Sequence, residues 1–370
     1  MPSGDRHFSG GELVEAIRHP ERLHDLPLWR WDSLLRVAKR ANLIGRLALG
    51  VRKAGFSDEL PVQVRCHLNS AEVLTTHQRA AIEWETRHIA RALATLDGPI
   101  VLLKGAAYAS CGLAAAEGRL FGDVDVLVAR DQLTRAEAAL MLGGWASGHA
   151  DAYDERYYRE WMHEIPPMTH RGRGTVIDLH HNILPQSARN PPDASLLLAA
   201  SQTIPGSRFS TFCPVDMVIH SATHLFHESE LQNGLRDLFD LDALLGEFAA
   251  RSPAFWDELA ERAVELGLAM PLALALRHAA AILGTDSPCR VRNRLEQSAG
   301  LGKRTLQVLD AIYSRALLPD HPLSSDTSMA LARFAVYLRG HYLRMPIGRL
   351  TAHLGRKFVI RLFRNTSRLA

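Results

Sequence analysis

Apolar residues recur at helical spacing from Trp31 to Leu96, and Ser70 to Leu96 predicts one long helix. Asp32 is the expected N-cap of a helix over Ser33 to Ala41, because a short acidic side chain accepts from the free amides of a first turn. Asp97-Gly98-Pro99 ends this region, and Ile100 to Leu103 follows as a short apolar run that predicts a buried strand. Ala106 to Ala116, after the Lys104-Gly105 turn, predicts a helix. The period then changes to two in Asp123-Val124-Asp125-Val126-Leu127-Val128. Successive strand side chains point to opposite sides, so Asp123 and Asp125 share one face while the valines take the other. Asp131 is the expected cap of a helix through Leu140, closed by Gly143-Gly144. Thr175 to His181 predicts another strand, with Asp178 and His180 on one face. These elements make a β-α-β-α-β core.

Residues 185 to 195 predict a connection, Thr203 to Phe209 a small hairpin, and the chain beyond Pro214 is mostly helical, with that proline suited to a helix's first turn. The expected division is a helical region over 1–97, a catalytic core over 98–186, a mainly helical region over 187–330 and a basic amphipathic tail over 331–370. At 370 residues several subdomains are expected. A hydrophobic fraction of 47% with 22% charged residues fits a globular chain and argues against disorder. No apolar run of membrane length and no apolar signal core after Met1 is found, so a cytoplasmic protein is expected. Cys66, Cys111, Cys213 and Cys289 lack metal-binding spacing and read as reduced, mostly packed thiols.

Two carboxylates at alternate positions of a strand repel each other unless a cation neutralises them. Mg²⁺, or Mn²⁺ in its place, suits carboxylate and phosphate oxygens best. Two-metal phosphoryl or nucleotidyl transfer uses acids that hold two ions, one activating the attacking oxygen and one stabilising the leaving oxygen. Asp123 and Asp125 fit the bridging and terminal ligands, and Asp178 completes the ion that activates an acceptor hydroxyl. The Lys104-Gly105 turn lets backbone amides approach phosphate, with the Lys104 ammonium neutralising a triphosphate. Arg119 is a second candidate phosphate clamp, alternatively a structural partner of an acid such as Glu117, and Gly122 joins the nucleotide-binding set.

Leu-Lys-Gly at 103–105, then Arg119-Leu-Phe-Gly-Asp-Val-Asp-Val-Leu-Val128, then Ile-Asp-Leu-His at 177–180, resembles the uncharacterised nucleotidyltransferase family of the DNA polymerase β-like superfamily. The resemblance runs from about Trp31 to Leu245 and includes His224 and a helix over Leu235 to Leu245. It implies an α+β fold, a small mixed β-sheet core flanked by helical N- and C-terminal regions, and magnesium dependence. It also implies transfer of a nucleoside monophosphate from an NTP with loss of pyrophosphate, to an acceptor that it does not identify. One departure is plain: many superfamily members have Gly-Ser or Gly-Gly shortly before the acids, whereas this chain has Gly105-Ala106 and a longer interval to Asp123.

His180 reads as a satisfied, partly buried histidine in preference to one that positions Asp178 or touches substrate. His220, His224 and His227 fall on one helix face, and their apolar neighbours favour packed histidines over metal ligands. Arg236 and Asp240 are expected to form an i,i+4 ion pair. Residues 331–370 carry +9 against a total of +3, which leaves −6 on the rest. That tail, with Arg339, Arg344, Arg349, Arg356, Lys357, Arg361 and Arg364 among aromatic residues, suits the protein's own acidic body, an anionic membrane surface or a nucleic acid. No DNA-binding motif is found. The sequence therefore predicts a nucleotidyltransferase acting on a small-molecule, glycan or peptide hydroxyl, against the alternatives of a non-catalytic nucleotide-binding scaffold and a toxin-like enzyme that modifies a protein or tRNA.

Overall fold

The computed structural model of the chain describes residues 8–148, 158–159 and 161–344. Helices α1 (Gly10–Arg18), α2 (Leu28–Arg40), α3 (Ile44–Ala54) and α4 (Val62–Ala92) precede the sheet. Helix α2 begins four residues before Asp32, after an extended Pro27. Proline presets the φ of an entry and needs no amide there, so Asp32 is free to pair with Arg36 Nε at 2.9 Å within the helix. Helix α4 likewise starts after Pro61, eight residues ahead of Ser70.

The sheet is mixed, in the order β3-β4-β5-β2-β1-β7-β6. Its strands are β1 (Val101–Leu102), β2 (Asp123–Leu127), β3 (Trp145–Ser147), β4 (Met168–His170), β5 (Val176–His180), β6 (Gln202–Thr203) and β7 (Ser210–Thr211). Strand β2 is antiparallel to β1 and parallel to β5. The hairpin expected over Thr203 to Phe209 is present, with β6 and β7 as its arms, and β7 runs parallel to β1, so the sheet continues past residue 186. The expected helix over Ala106–Ala116 is split: α5 spans Lys104–Ser110, Gly112 turns the chain at φ 63°, and Ala114–Ala116 is a separate 3₁₀ turn. Asp131 sits in another 3₁₀ turn, and α6 (Leu133–Leu142) starts after it without a side-chain cap, then stops at Gly143-Gly144 as expected.

Helix α7 (Ala194–Ala199) precedes β6, and after β7 the described residues are helical: α8 (Pro214–His227), α9 (Gly234–Arg251), α10 (Phe255–Glu265), α11 (Ala269–His278), α12 (Cys289–Ser298), α13 (Lys303–Ala316) and α14 (Thr327–Arg344). Pro214 occupies the first turn of α8. One apolar core joins the N-terminal helices, the sheet and the C-terminal helices, from Trp31 and Ile89 through Val126 and Leu179 to Leu244 and Tyr313. Each fully buried aliphatic side chain contributes roughly 1.5–3 kcal/mol by leaving water. Within this core α9 packs against α8 and against the 3₁₀ turn Ala114–Ala116 that follows α5, and both helices line the cleft. All four cysteines are free, and Cys66 and Cys289 are exposed rather than packed. Among the described residues, no helix is long and apolar enough to cross a membrane.

Candidate active site

Register decides the arrangement of the acids. In the parallel pair β2 and β5, Asp125 lies directly opposite Asp178, and Asp123 lies opposite Val176 two positions earlier. The alternation that puts Val124 and Val126 into the core turns all three carboxylates to the other face. That face is the floor of a cleft of about 770 Å³, within the usual range for a ligand site. Asp123 is open to the cleft, Asp178 is half-buried and Asp125 is buried.

Burial opposes the charge on Asp125, but the Lys104 ammonium at 3.2 Å and His180 Nε2 at 3.0 Å hold its carboxyl well below the usual range. Lys104 gains in return: burial lowers its pKa, and Asp125 and Asp123 more than reverse this. Its backbone is left-handed at φ 44°, a conformation that costs an L-residue about 1–2 kcal/mol. The turn from β1 into α5 thus holds this side chain over the acids. Asp123 is raised chiefly by the Asp125 charge, and Asp178 is pushed up to about 7 by burial together with Asp125 and Glu164. Asp178 Oδ1 is buried and accepts no hydrogen bond. Three carboxylates on one face, one with an orphaned buried oxygen, make a donor set that fits a hard divalent cation. His180 is buried rather than partly buried, its Nε2 bonds Asp125 rather than Asp178, and its Nδ1 makes no hydrogen bond, so it is not the satisfied histidine expected.

Arg119 and Gly105 form a unit. A Cβ on Gly105 would lie 2.3 Å from Arg119 Nη1, so the glycine makes room for that guanidinium at the start of α5. Arg119 donates from Nε to Asp240 Oδ2 at 2.8 Å, and Arg46 Nη2 donates to the other oxygen at 2.6 Å. The acid beside Arg119 is therefore Asp240 on α9, while Glu117 pairs with Lys53 on α3. The expected Arg236–Asp240 pair does not form: Arg236 turns to its neighbour Asp237 at 2.7 Å, and Asp240 is already held by two arginines. A Cβ on Gly122 would meet no atom within 4 Å, so this position borders open cleft.

Helix α8 supplies a wall through Ser221, His224 and Leu225, and the turn to α9 adds Glu228, Glu230 and Asn233. The three α8 histidines separate by role. His220 stacks edge-on to Phe212 and His227 Nδ1 bonds the Thr223 carbonyl, while His224 faces the cleft with Nε2 3.5 Å from Glu228. Burial keeps His224 well below its usual pKa, hence neutral. A Cβ on Gly340 would come within 2.6 Å of Ser229 Cα, and this close approach of α14 brings Arg344 to Glu228 at 2.8 Å on the rim. Arg339 is likewise docked on the body, donating to the Phe226 carbonyl and the Tyr313 hydroxyl. Arg349, Arg356, Lys357, Arg361 and Arg364 lie outside the described residues.

Two cleft residues carried no sequence signal. His163 and Glu164 add to the edge of β5 through an isolated bridge from Glu164 to His180, just before Pro166-Pro167 interrupts any alternation. Asp240, 115 positions beyond Asp125 in sequence, was equally invisible as an Arg119 partner.

No curated protein and no solved structure matches the chain. The model of one family, described as uncharacterised nucleotidyltransferase, matches residues 28–284, which takes in α2, the sheet with its three acids, and α8 to α11. The chain belongs to that uncharacterised nucleotidyltransferase family.

Proposed function

We propose that this protein moves a nucleoside monophosphate from an NTP to a hydroxyl of a small-molecule, glycan or peptide acceptor. The observation that carries the reading is the register of Asp125 opposite Asp178, with Asp123 on the same face, on the floor of a polar cleft beside Lys104. Asp123, Asp125 and Asp178 would hold Mg²⁺, which when bound supplies charge neutralisation at the phosphates and lowers the pKa of a coordinated hydroxyl.

The chain's own groups do the rest. Lys104 offers its ammonium to the triphosphate, which exchanges one anionic partner for another as the nucleotide enters. Arg119, with its Nε committed to Asp240, adds positive charge at the same end of the cleft. Asp178 takes the proton of the acceptor hydroxyl as its oxygen attacks the α-phosphorus. The new P–O bond forms in line with the breaking bond to the β-phosphate, and pyrophosphate leaves. The α8 and α9 walls and the Glu228–Arg344 rim screen the reacting groups from bulk water.

The test is transfer from α-phosphate-labelled NTPs to pools of hydroxyl-bearing metabolites, glycans and peptides. The wild type is expected to label an acceptor and release one pyrophosphate per label. Asp178→Asn is expected to lower turnover by about 10²–10⁴-fold, the usual contribution of a positioned base. Undiminished turnover in Asp125→Ala would overturn the assignment.

A further inference from the structure

Beside the three acids, His163, Glu164 and His180 bring one ligand atom each to within 4.8 Å of the others. Their placement is imposed by backbone. Ile165 N–H donates to the Leu179 carbonyl at 3.0 Å and His181 N–H to the His163 carbonyl at 2.8 Å, which lays residues 163–165 along the edge of β5. The two imidazole rings stand 5.3 Å apart between centroids.

Both rings leave an atom unmatched. His163 Nδ1 and His180 Nδ1 are buried and make no hydrogen bond. An orphaned buried polar atom costs about 1–3 kcal/mol, and two in neighbouring rings call for a partner. His180 is 3% exposed, and its Nε2 is bonded to Asp125 Oδ1. In the neutral ring that a metal takes, the proton on Nε2 stays directed at Asp125 and Nδ1 presents a lone pair. His180 Nδ1 lies 3.3 Å from Glu164 Oε2, a spacing that either a proton on the ring or a shared cation satisfies. Nitrogen and oxygen donors at about 2.0–2.1 Å from a tetrahedral ion stand about 3.4 Å from each other.

We propose that His163 Nδ1, Glu164 and His180 Nδ1 form a binding site for a first-row transition-metal ion of the Zn²⁺ type, separate from the acid set on β2 and β5. Two imidazoles and one carboxylate favour such an ion over Mg²⁺, which prefers an all-oxygen shell. Asp125 is the outer partner that orients His180, as carboxylates do behind metal-bound histidines. Three protein ligands leave a coordination position open, and all three residues line the cleft. The site therefore offers that position to water or to a phosphate or hydroxyl oxygen of a cleft ligand. The assignment rests on the ligand geometry; it shares Asp125 with the proposed transfer site, and Asp123→Asn tells the two apart.

The test uses the full chain and the metal alone. After chelator treatment, Zn²⁺ is titrated in competition with a chromophoric chelator, and Co²⁺ is followed by its visible absorption. One tight equivalent and the intense bands of tetrahedral Co²⁺ are expected. His163→Ala and Glu164→Gln should each lower Zn²⁺ affinity on the order of 100-fold with unchanged circular dichroism, and Asp125→Asn by about 10–100-fold. Asp123→Asn should leave the Zn²⁺ affinity as it is. Absence of a tight equivalent, equal affinity in His163→Ala, or loss in Asp123→Asn with retention in Glu164→Gln would overturn the proposal.

Discussion

At the scale of single residues, the carboxylates were readable because chemistry and strand period coincide: a strand that places valine at every second position cannot hide what lies between. The partners of those residues were not readable. Lys104 reaches Asp125 because its backbone is left-handed, and Arg119 reaches Asp240 because a glycine stands at 105. Neither condition has a local sequence signature. Gly105, which the motif alone assigns to phosphate, is better explained by the guanidinium lying 2.3 Å from where its Cβ would be. Gly105→Ala is therefore expected to push Arg119 off Asp240 and to destabilise the fold by about 1–3 kcal/mol, the usual cost of overpacking. Urea unfolding measures this, and an unchanged midpoint with an unchanged slope would mean that the guanidinium is not confined there.

At the scale of elements, the apolar runs located β1, β2 and β5, and the proline signal located α8. The helix start behind Pro27 was missed because a capping side chain was sought at Asp32 where a proline already fixes the entry, and the start of α4 behind Pro61 was placed eight residues late, at Ser70. The tie between α4 and the hairpin of β4 and β5 also escaped, since its members are 88 positions apart in sequence. There Glu85 accepts from Arg173 Nε at 2.8 Å and Nη2 at 2.9 Å and from the Thr175 hydroxyl at 2.7 Å. Arg173 also lies over the rings of Trp84 and Trp145. Burial raises the Glu85 pKa, but Arg173 and Thr175 outweigh it and hold the group below its ordinary value of 4.5. A carboxyl lowered in the folded state contributes stability that is present above its unfolded pKa and is lost as pH falls through the folded one. Glu85→Gln should thus cost about 3 kcal/mol near neutrality, as when one partner of a buried pair is removed, and less as the medium is acidified below pH 4.5. Urea midpoints of both proteins between about pH 6 and pH 3 check this. A gap that stays constant or widens in acid would contradict it.

At the scale of the whole molecule, one apolar core joins the helical flanks to the sheet. The helices beyond the sheet are consequently part of the site: α8 and α9 wall the cleft, Asp240 holds Arg119, and α14 sets the rim through Arg344. The sequence separated the flanks from the core because helical periodicity reports which face is apolar and not what that face meets. The exposed positions Leu331, Phe334 and Leu338 on α14 show the limit of that signal, since their apolar character did not bury them. The proposed metal-nucleotide site is built on Asp123 and Asp125. Thermal unfolding of the wild type and of Asp123→Asn/Asp125→Asn, with each NTP and with or without Mg²⁺, tests it without knowledge of the acceptor. A ligand that binds only the native state stabilises it by about 2.7 kcal/mol at about 100 times its Kd. At least one NTP is expected to raise the Tm of the wild type, only with Mg²⁺, and to leave the double variant unmoved. An equal rise in both proteins, or no rise in either at saturating NTP, would contradict it.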